Sequence, residues 1–144
     1  MQRLFLAILV VSLPLLLVGC GEKGPKTTPV SITITQKGSP VAEATVTMVS
    51  ADGKSSASAM TDASGVAVME TGEGTKKKGA LPGEYGVAVR KWETKTVPNP
   101  SEESPDGTIS VRENKLPEKY GEHGTSGFKL TVGDTAVLET FDIP

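Results

Sequence analysis

Apolar side chains recur at every second position in several short stretches of this sequence. In the first stretch, Val30, Ile32 and Ile34 alternate with serine and threonine. The same spacing returns within residues 44–50, 85–89 and 128–132. A period of two places the apolar set on one face of a β-strand, where it can be buried against a second sheet. No long 3.6-residue apolar period follows residue 20, so the pattern favours an all-β domain over a helical one.

The dipeptide Asp52-Gly53 is a strong hairpin signal, because glycine adopts a positive φ without a steric cost. It predicts that residues 44–50 and 55–61 are antiparallel neighbours. The second of these segments, SSASAMT, is small and polar, which is typical of an edge strand.

A second hairpin is predicted at the end of the chain. Gly133-Asp134 lies between the alternating residues 128–132 and the returning segment 136–143, and two such residues suit a tight turn. About seven short strands at this spacing predict a small antiparallel β-sandwich.

The alternation is lost between residues 92 and 114. This stretch is rich in proline and acidic residues. We therefore predict an exposed loop insertion, in which residues 108–112 allow a short strand. A second charged loop is predicted at residues 71–80, and Pro117 favours one helical turn at residues 116–120.

The N-terminal residues have the pattern of a bacterial lipoprotein signal. Arg3 precedes an apolar stretch, residues 4–18, that is shorter than the roughly 20 residues of a membrane-spanning helix. The stretch runs into Leu17-Val18-Gly19-Cys20, a lipobox that ends in the one cysteine of the chain. We expect cleavage before Cys20 and acylation of both its thiol and its new α-amino group. Two or more acyl chains hold a protein stably on a membrane.

These features divide the chain into three parts. Residues 1–19 are the predicted signal peptide, residues 20–29 the lipidated N-terminus and a linker, and residues 30–144 a single β-sandwich domain. Gly21 and Glu22 do not provide the aspartate that often retains lipoproteins at an inner membrane. We therefore expect a lipid-anchored protein of the cell envelope, at the outer membrane, on its periplasmic face or on the cell surface.

Charge and cysteine content bear on partners and stability. The chain has 15 Lys and Arg against 17 Asp and Glu, a formal net charge of −2. It has no basic excess to attract nucleic acid or anionic lipid. With Cys20 acylated no disulfide can form, so packing alone must stabilise the domain. We expect a monomer.

Three motifs between residues 37 and 89 resemble a known family. The succession KGSPVAEATVTMVS, TDASGVAVM and ALPGEYGVAV resembles the carboxypeptidase-regulatory-like, or transthyretin-like, β-sandwich modules. LPEKYGEHGTSGFKLTV is similar to the tail of bacterial lipoproteins that carry such a module after a lipobox. The resemblance covers residues 28–91 and, less closely, 115–143. It implies a prealbumin-like Greek-key sandwich that serves as a non-catalytic accessory domain.

Side chains suited to catalysis or metal binding are scarce. His123, the sole histidine, has one adjacent carboxylate, whereas zinc needs three or four convergent ligands. A Ser-His-Asp site would have to use this histidine, and no Gly-x-Ser-x-Gly motif is present. Residues 72–78 lack the strand-to-helix setting of a phosphate loop, and residues 62–65 lack the alternating oxygen ligands of a calcium loop. We expect no catalytic residue, metal or cofactor.

Three classes of function remain. The first, which we favour, is a membrane-anchored lipoprotein whose non-catalytic module contacts an envelope protein or the cell wall, through end loops or by pairing an exposed strand such as residues 55–61. The second is a carbohydrate-binding module in which Trp92 and Tyr120 contact the glycan. In another interpretation, Trp92 shields the end of the sandwich. The third is an uncharacterised hydrolase, which needs a perturbed titrating group in a pocket.

Overall fold

The structure is a computed structural model and describes residues 25–72, 76–99 and 106–144. These ranges contain twelve strands and one short 3₁₀ helix, Glu118–Gly121. The strands are β1 (Val30–Gln36), β2 (Ser39–Pro40), β3 (Thr45–Ser50), β4 (Ser56–Met60), β5 (Val66–Val68), β6 (Glu70–Thr71), β7 (Lys77–Lys78), β8 (Gly83–Arg90), β9 (Trp92–Pro98), β10 (Thr108–Asn114), β11 (Lys129–Val132) and β12 (Val137–Ile143).

Two sheets enclose the core. In the four-stranded sheet, β1 is central, β12 lies on one side of it, and β2 and β5 share the other side. The six-stranded sheet has the order β11-β8-β3-β4-β6-β7. The remaining strands, β9 and β10, form a separate two-stranded ribbon. The chain is therefore an all-β sandwich, which confirms the fold class predicted from the alternation.

The core consists of the alternating residues of the long strands. From β1 it receives Val30, Ile32 and Ile34, which are almost completely buried. From the facing sheet it receives Val46, Met48, Tyr85, Val87 and Val89. Burying one such aliphatic side chain contributes about 1.5–3 kcal/mol. The faces predicted for β1, β3 and β8 are confirmed.

The chain changes sheets between β5 and β6. Met69, at the crossing, is fully buried, and its backbone N–H donates to Val30 O at 2.9 Å. Ala67 is also buried, whereas Val68 is exposed on the outside of the four-stranded sheet. In this segment the smaller and more flexible side chains, and not the valines, complete the core.

The predicted closing hairpin is wrong. Strand β11 pairs with β8 in the six-stranded sheet, whereas β12 crosses to the other sheet and runs parallel to β1, from Val30↔Val137 to Gln36↔Ile143. Alternation identifies a strand and its buried face, but it does not specify the partner strand. Gly133-Asp134 thus connects two sheets instead of two neighbours.

The predicted edge at residues 55–61 is also wrong. As expected, β4 pairs with β3 from Thr45↔Met60 to Val49↔Ser56. Its other side, however, pairs with β6 at Ala57↔Thr71 and Ser58↔Glu70, and β6 in turn pairs with β7. Part of the predicted charged loop at 71–80 therefore extends the sheet and covers β4.

The described residues of the stretch predicted as a loop insertion, 92–99 and 106–114, contain two paired strands. Strands β9 and β10 pair over seven positions, from Trp92↔Asn114 to Pro98↔Thr108. The short strand predicted at 108–112 is confirmed as part of β10. The ribbon is mostly solvent-exposed on both faces, and such a strand has no apolar period that sequence reasoning could detect. At its base, Asn114 Oδ1 accepts from Lys91 N at 3.0 Å and from Leu116 N at 3.3 Å.

Candidate functional site

The candidate site lies on the outer face of the six-stranded sheet, where the segment after the 3₁₀ helix crosses β8. Gly86 makes this crossing close. A Cβ on Gly86 would lie 2.7 Å from His123 O and 3.3 Å from His123 Cβ. Any side chain at this position would therefore push the segment away from the sheet.

Hydrogen bonds hold the same segment against β8. Ser126 is buried, and its hydroxyl donates to Val87 O at 2.6 Å and accepts from Phe128 N at 3.1 Å. Thr125 Oγ1 donates to Lys119 O at 2.7 Å. The Ser126 hydroxyl thus joins two backbone groups and has a structural role.

Two open grooves flank His123. The first, of about 490 Å³, runs towards the turn after β3. Its lining residues are Val49, Ser50, Ala51, Glu84, Tyr85, Gly86, His123, Gly124, Lys129, Leu130 and Thr131. The second, of about 180 Å³, leads to the base of the ribbon and is lined in part by Ala88, Arg90 and Trp92. Both grooves are open to solvent and mix polar with apolar lining residues, which suits contact with a polymer more than enclosure of a small substrate.

Trp92 marks the ribbon end of the second groove. Trp92 is the first residue of β9 and is 44% exposed. Arg112 Cζ lies 5.5 Å from the centroid of the indole ring. Both side chains lie on one face of the ribbon, because Trp92 pairs with Asn114 and Arg112 is two residues before Asn114. The guanidinium therefore stacks on the indole as a cation–π pair. Trp92 thus belongs to the ribbon and lines a groove together with residues of β3 and β8.

Tyr120 does not join Trp92 in an aromatic platform. It lies in the 3₁₀ helix, is 4% exposed and stacks on Phe128 with 5.0 Å between ring centroids. Phe128 stacks in turn on Phe141 of β12 at 4.6 Å. The short 3₁₀ turn directs the tyrosine ring into the core, so it offers no exposed ring face for a glycan.

Charged side chains surround the depression at the ribbon base. An ion pair joins Arg90 to Glu122, and both side chains are substantially exposed. The depression has a volume of about 620 Å³, and Trp92, Asn114 and Glu118 also line it. A solvent-exposed pair contributes little to stability, about 0–1 kcal/mol. Arg90 and Glu122 thus place two hydrogen-bonding groups beside the indole.

Tyr85 is a titratable residue in the lining of the first groove. Burial raises the pKa of Tyr85, whose hydroxyl donates to Leu81 O at 2.9 Å, so this phenol stays neutral. Within residues 25–72, 76–99 and 106–144, no group of three or more His, Cys, Asp or Glu side chains could hold a metal ion. In the part of the chain that the structure describes, no helix is long and apolar enough to cross a membrane. Cys20, the predicted lipidation site, lies outside the described residues.

The ribbon itself carries charge and apolar surface on one face. Glu93 pairs directly with Glu113, and Lys115 Nζ lies 3.5 and 3.3 Å from their carboxylates. The hydrogen bond to Glu113 and the charges of both carboxylates raise the pKa of Lys115. The lysine thus offsets the repulsion that two facing glutamates would cause. Beyond it on the same face lie the exposed Ile109 and Val111.

Sequence reasoning missed Arg90, Arg112 and Glu122. Each belongs to a different segment, and their proximity depends on the ribbon and on the crossing at Gly86. The β-branched run Thr94, Thr96, Val97 was the signal that could have indicated β9.

No protein-family model matches this chain, and no curated protein matches it. Among solved structures, it is similar to the major pilin subunit BcpA of Bacillus cereus, with 14% sequence identity and a TM-score of 0.44. The match covers 82% of this chain and 30% of the pilin chain. At this level of similarity the comparison carries no argument about function. The sheets themselves define the chain as a β-sandwich protein, and membership of the carboxypeptidase-regulatory-like family stays a prediction.

Proposed function

We propose that this protein is a membrane-anchored lipoprotein that presents a non-catalytic β-sandwich module to an envelope protein or to the cell wall. The observation that carries the proposal is the exposed ribbon of β9 and β10. An isolated two-stranded ribbon is only marginally stable by itself. This one nevertheless exposes Ile109 and Val111 side by side, with Val97 opposite Ile109. An exposed ribbon with a cluster of three apolar side chains on one face suits contact with a partner.

The anchor is supported by the sequence alone. Residues 17–20 form the lipobox, and the described domain begins a few residues after it, so a short linker would hold the sandwich near the membrane. Outer-membrane placement, on either leaflet, and a monomeric state belong to the same proposal.

The non-catalytic assignment is supported by the chemistry of the grooves. The hydroxyl of the buried Ser126 is hydrogen-bonded to backbone groups, and the phenol of Tyr85 is neutral and hydrogen-bonded. His123 contacts Gly86 through its main chain and belongs to no metal-binding cluster of the described residues. A hydrolase would need an activated nucleophile or a metal-bound water in one of these grooves.

Two variants test the two parts of the proposal separately. Cys20→Ser should stay unprocessed or lose the acyl mass, whereas the wild type should carry the acyl mass and sediment with membranes. A soluble wild-type protein with an unmodified thiol would contradict the anchor.

Ile109→Ser with Val111→Ser tests the ribbon. In crosslinking on intact cells, this double variant should lose adducts that wild-type protein forms. The control is Met60→Ser, which removes an equally apolar side chain, 65% exposed on β4, and should keep them. Identical adducts in all three proteins would contradict a binding role for the ribbon.

A carbohydrate ligand is the second candidate, and the exposure of Trp92 favours it. The indole lies beside Arg90, Glu122 and Asn114, which can hydrogen-bond sugar hydroxyls. Because Trp92 is the only tryptophan, soluble wall oligosaccharides should quench or shift its fluorescence if they bind there. Unchanged emission at saturating oligosaccharide would eliminate this candidate.

A further inference from the structure

Strand β12 has one hydrogen-bonding side that no described strand occupies. Val137 N donates to Pro29 O at 2.9 Å, and Ile143 O accepts from Lys37 N at 2.8 Å. Main-chain groups alternate in direction along a strand, so the odd-numbered residues of β12 face β1. The N–H and C=O groups of Leu138, Thr140 and Asp142 therefore point away from the sheet.

This edge lacks several of the features that usually protect an edge strand. Free edges are commonly shortened, bulged, or carry proline or charged side chains, lysine above all. In the six-stranded sheet, the outer strands β7 and β11 have two and four residues, whereas β12 pairs with β1 in continuous register over seven. Residues 137–143 contain no lysine and no proline. Leu138 is 82% exposed, and it lies in one row with Ser31 and the exposed Val68 on the outer face.

The charge of this segment indicates what kind of strand can pair with it. Residues 133–144 carry Asp134, Glu139 and Asp142 and no Lys or Arg. A second copy of β12 would add the same carboxylates to the interface and no basic side chain to pair with them, which disfavours self-pairing. A strand with basic side chains would instead gain opposite-charge pairs.

We propose that β12 is a docking edge that binds an extended, basic segment of a partner protein by β-strand addition. The inference rests on the proposed interaction function and names the chemistry of the partner. Main-chain hydrogen bonds to Leu138, Thr140 and Asp142 hold the partner strand. The exposed Leu138 favours an apolar partner side chain on the outer face, and Glu139 favours a basic one on the opposite face.

Amide hydrogen exchange of the full chain, purified in detergent, tests the edge directly. The probes are a short synthetic peptide that alternates valine with lysine and a matched peptide with glutamate in place of lysine. In the protein alone, the amides of Leu138, Thr140 and Asp142 should exchange quickly and those of Glu139 and Phe141 slowly. The lysine peptide should slow the first group, and the glutamate peptide should not.

Two variants separate edge pairing from nonspecific binding. Thr140→Pro removes one outward N–H and none of the bonds to β1, and it should weaken binding of the lysine peptide by about tenfold. Leu138→Lys should also weaken binding of this peptide. The control Met60→Lys makes the same kind of change on the other sheet and should leave the binding unchanged. Amides at 138, 140 and 142 that are already protected without peptide would overturn the inference, since residues 1–24 or a second copy would then occupy the edge. Equal binding of the two peptides would also overturn the inference, and so would unchanged binding of the lysine peptide to both Thr140→Pro and Leu138→Lys. Because these measurements do not depend on lipidation at Cys20 or on the ribbon, they stand apart from the tests of the proposed function.

Discussion

Replacing Gly86 by alanine tests whether the segment around His123 rests on the sheet. The new Cβ would lie 2.7 Å from His123 O, closer than carbon and oxygen tolerate, so the segment must move. Overpacking of this kind costs about 1–3 kcal/mol. Gly86 has no positive φ, so alanine also gains about 0.4–1 kcal/mol from the reduced entropy of the unfolded chain. The steric cost exceeds this entropic gain, and we expect Gly86→Ala to lower the free energy of unfolding by about 1–2 kcal/mol.

The matched control is Gly124→Ala, which lies in the same segment. A Cβ there meets nothing within 4 Å, and φ is not positive, so this variant should be as stable as the wild type or slightly more stable. Urea unfolding followed by circular dichroism gives both free energies. Amide exchange should in addition become faster at Phe128, whose N–H is bonded to the hydroxyl of Ser126, only in Gly86→Ala. Equal stability of the two variants would show that the segment does not lie on Gly86.

Two other side chains make separate predictions. Thr61→Val removes the buried hydroxyl that accepts from Ala44 N at 2.8 Å, and should cost about 1–3 kcal/mol in urea unfolding because the amide is left without a partner; a change below about 0.5 kcal/mol would contradict it. Hydrogen bonds from Thr35 and Gly38 lower the pKa of the Asp142 carboxyl below its ordinary 3.8. The ionised carboxyl therefore stabilises the fold above pH 3.8, and this stabilisation is lost as the pH falls through the lowered pKa. In Asp142→Asn, thermal unfolding at several pH values should show a smaller loss of stability below pH 3.8 than in the wild type, and an identical pH profile would contradict this prediction.

The parts of the fold that could be predicted are those in which one face of a strand is buried. Alternation in β1, β3 and β8 reports which side chains face the core, because water is excluded from one side only. The turn at Asp52-Gly53 could be predicted because a positive φ favours glycine, and φ is 69° at Gly53. These are local signals, and each is decided within a few residues.

The errors concern relations between distant segments. The pairing of β12 with β1 joins residues about a hundred positions apart, and nothing in residues 133–134 distinguishes a hairpin turn from a crossing between sheets. The ribbon was missed because both of its faces meet water. The role of Tyr120 was misjudged for the opposite reason: a polar stretch of sequence surrounds a ring that the fold buries against Phe128.

The parallel pairing of β1 and β12 gives the domain a particular mechanical geometry. Tension from an N-terminal membrane anchor would enter at Val30, and a partner held on β12 would resist it along nearly the same axis. The two strands would then be pulled past each other in shear, and the main-chain bonds over all seven paired positions would share the load. A hairpin pulled open from its ends breaks its bonds one after another. Since survival under force depends on the unfolding rate and not on equilibrium stability, shear loading of β1 and β12 would slow the mechanical release of a partner bound to β12.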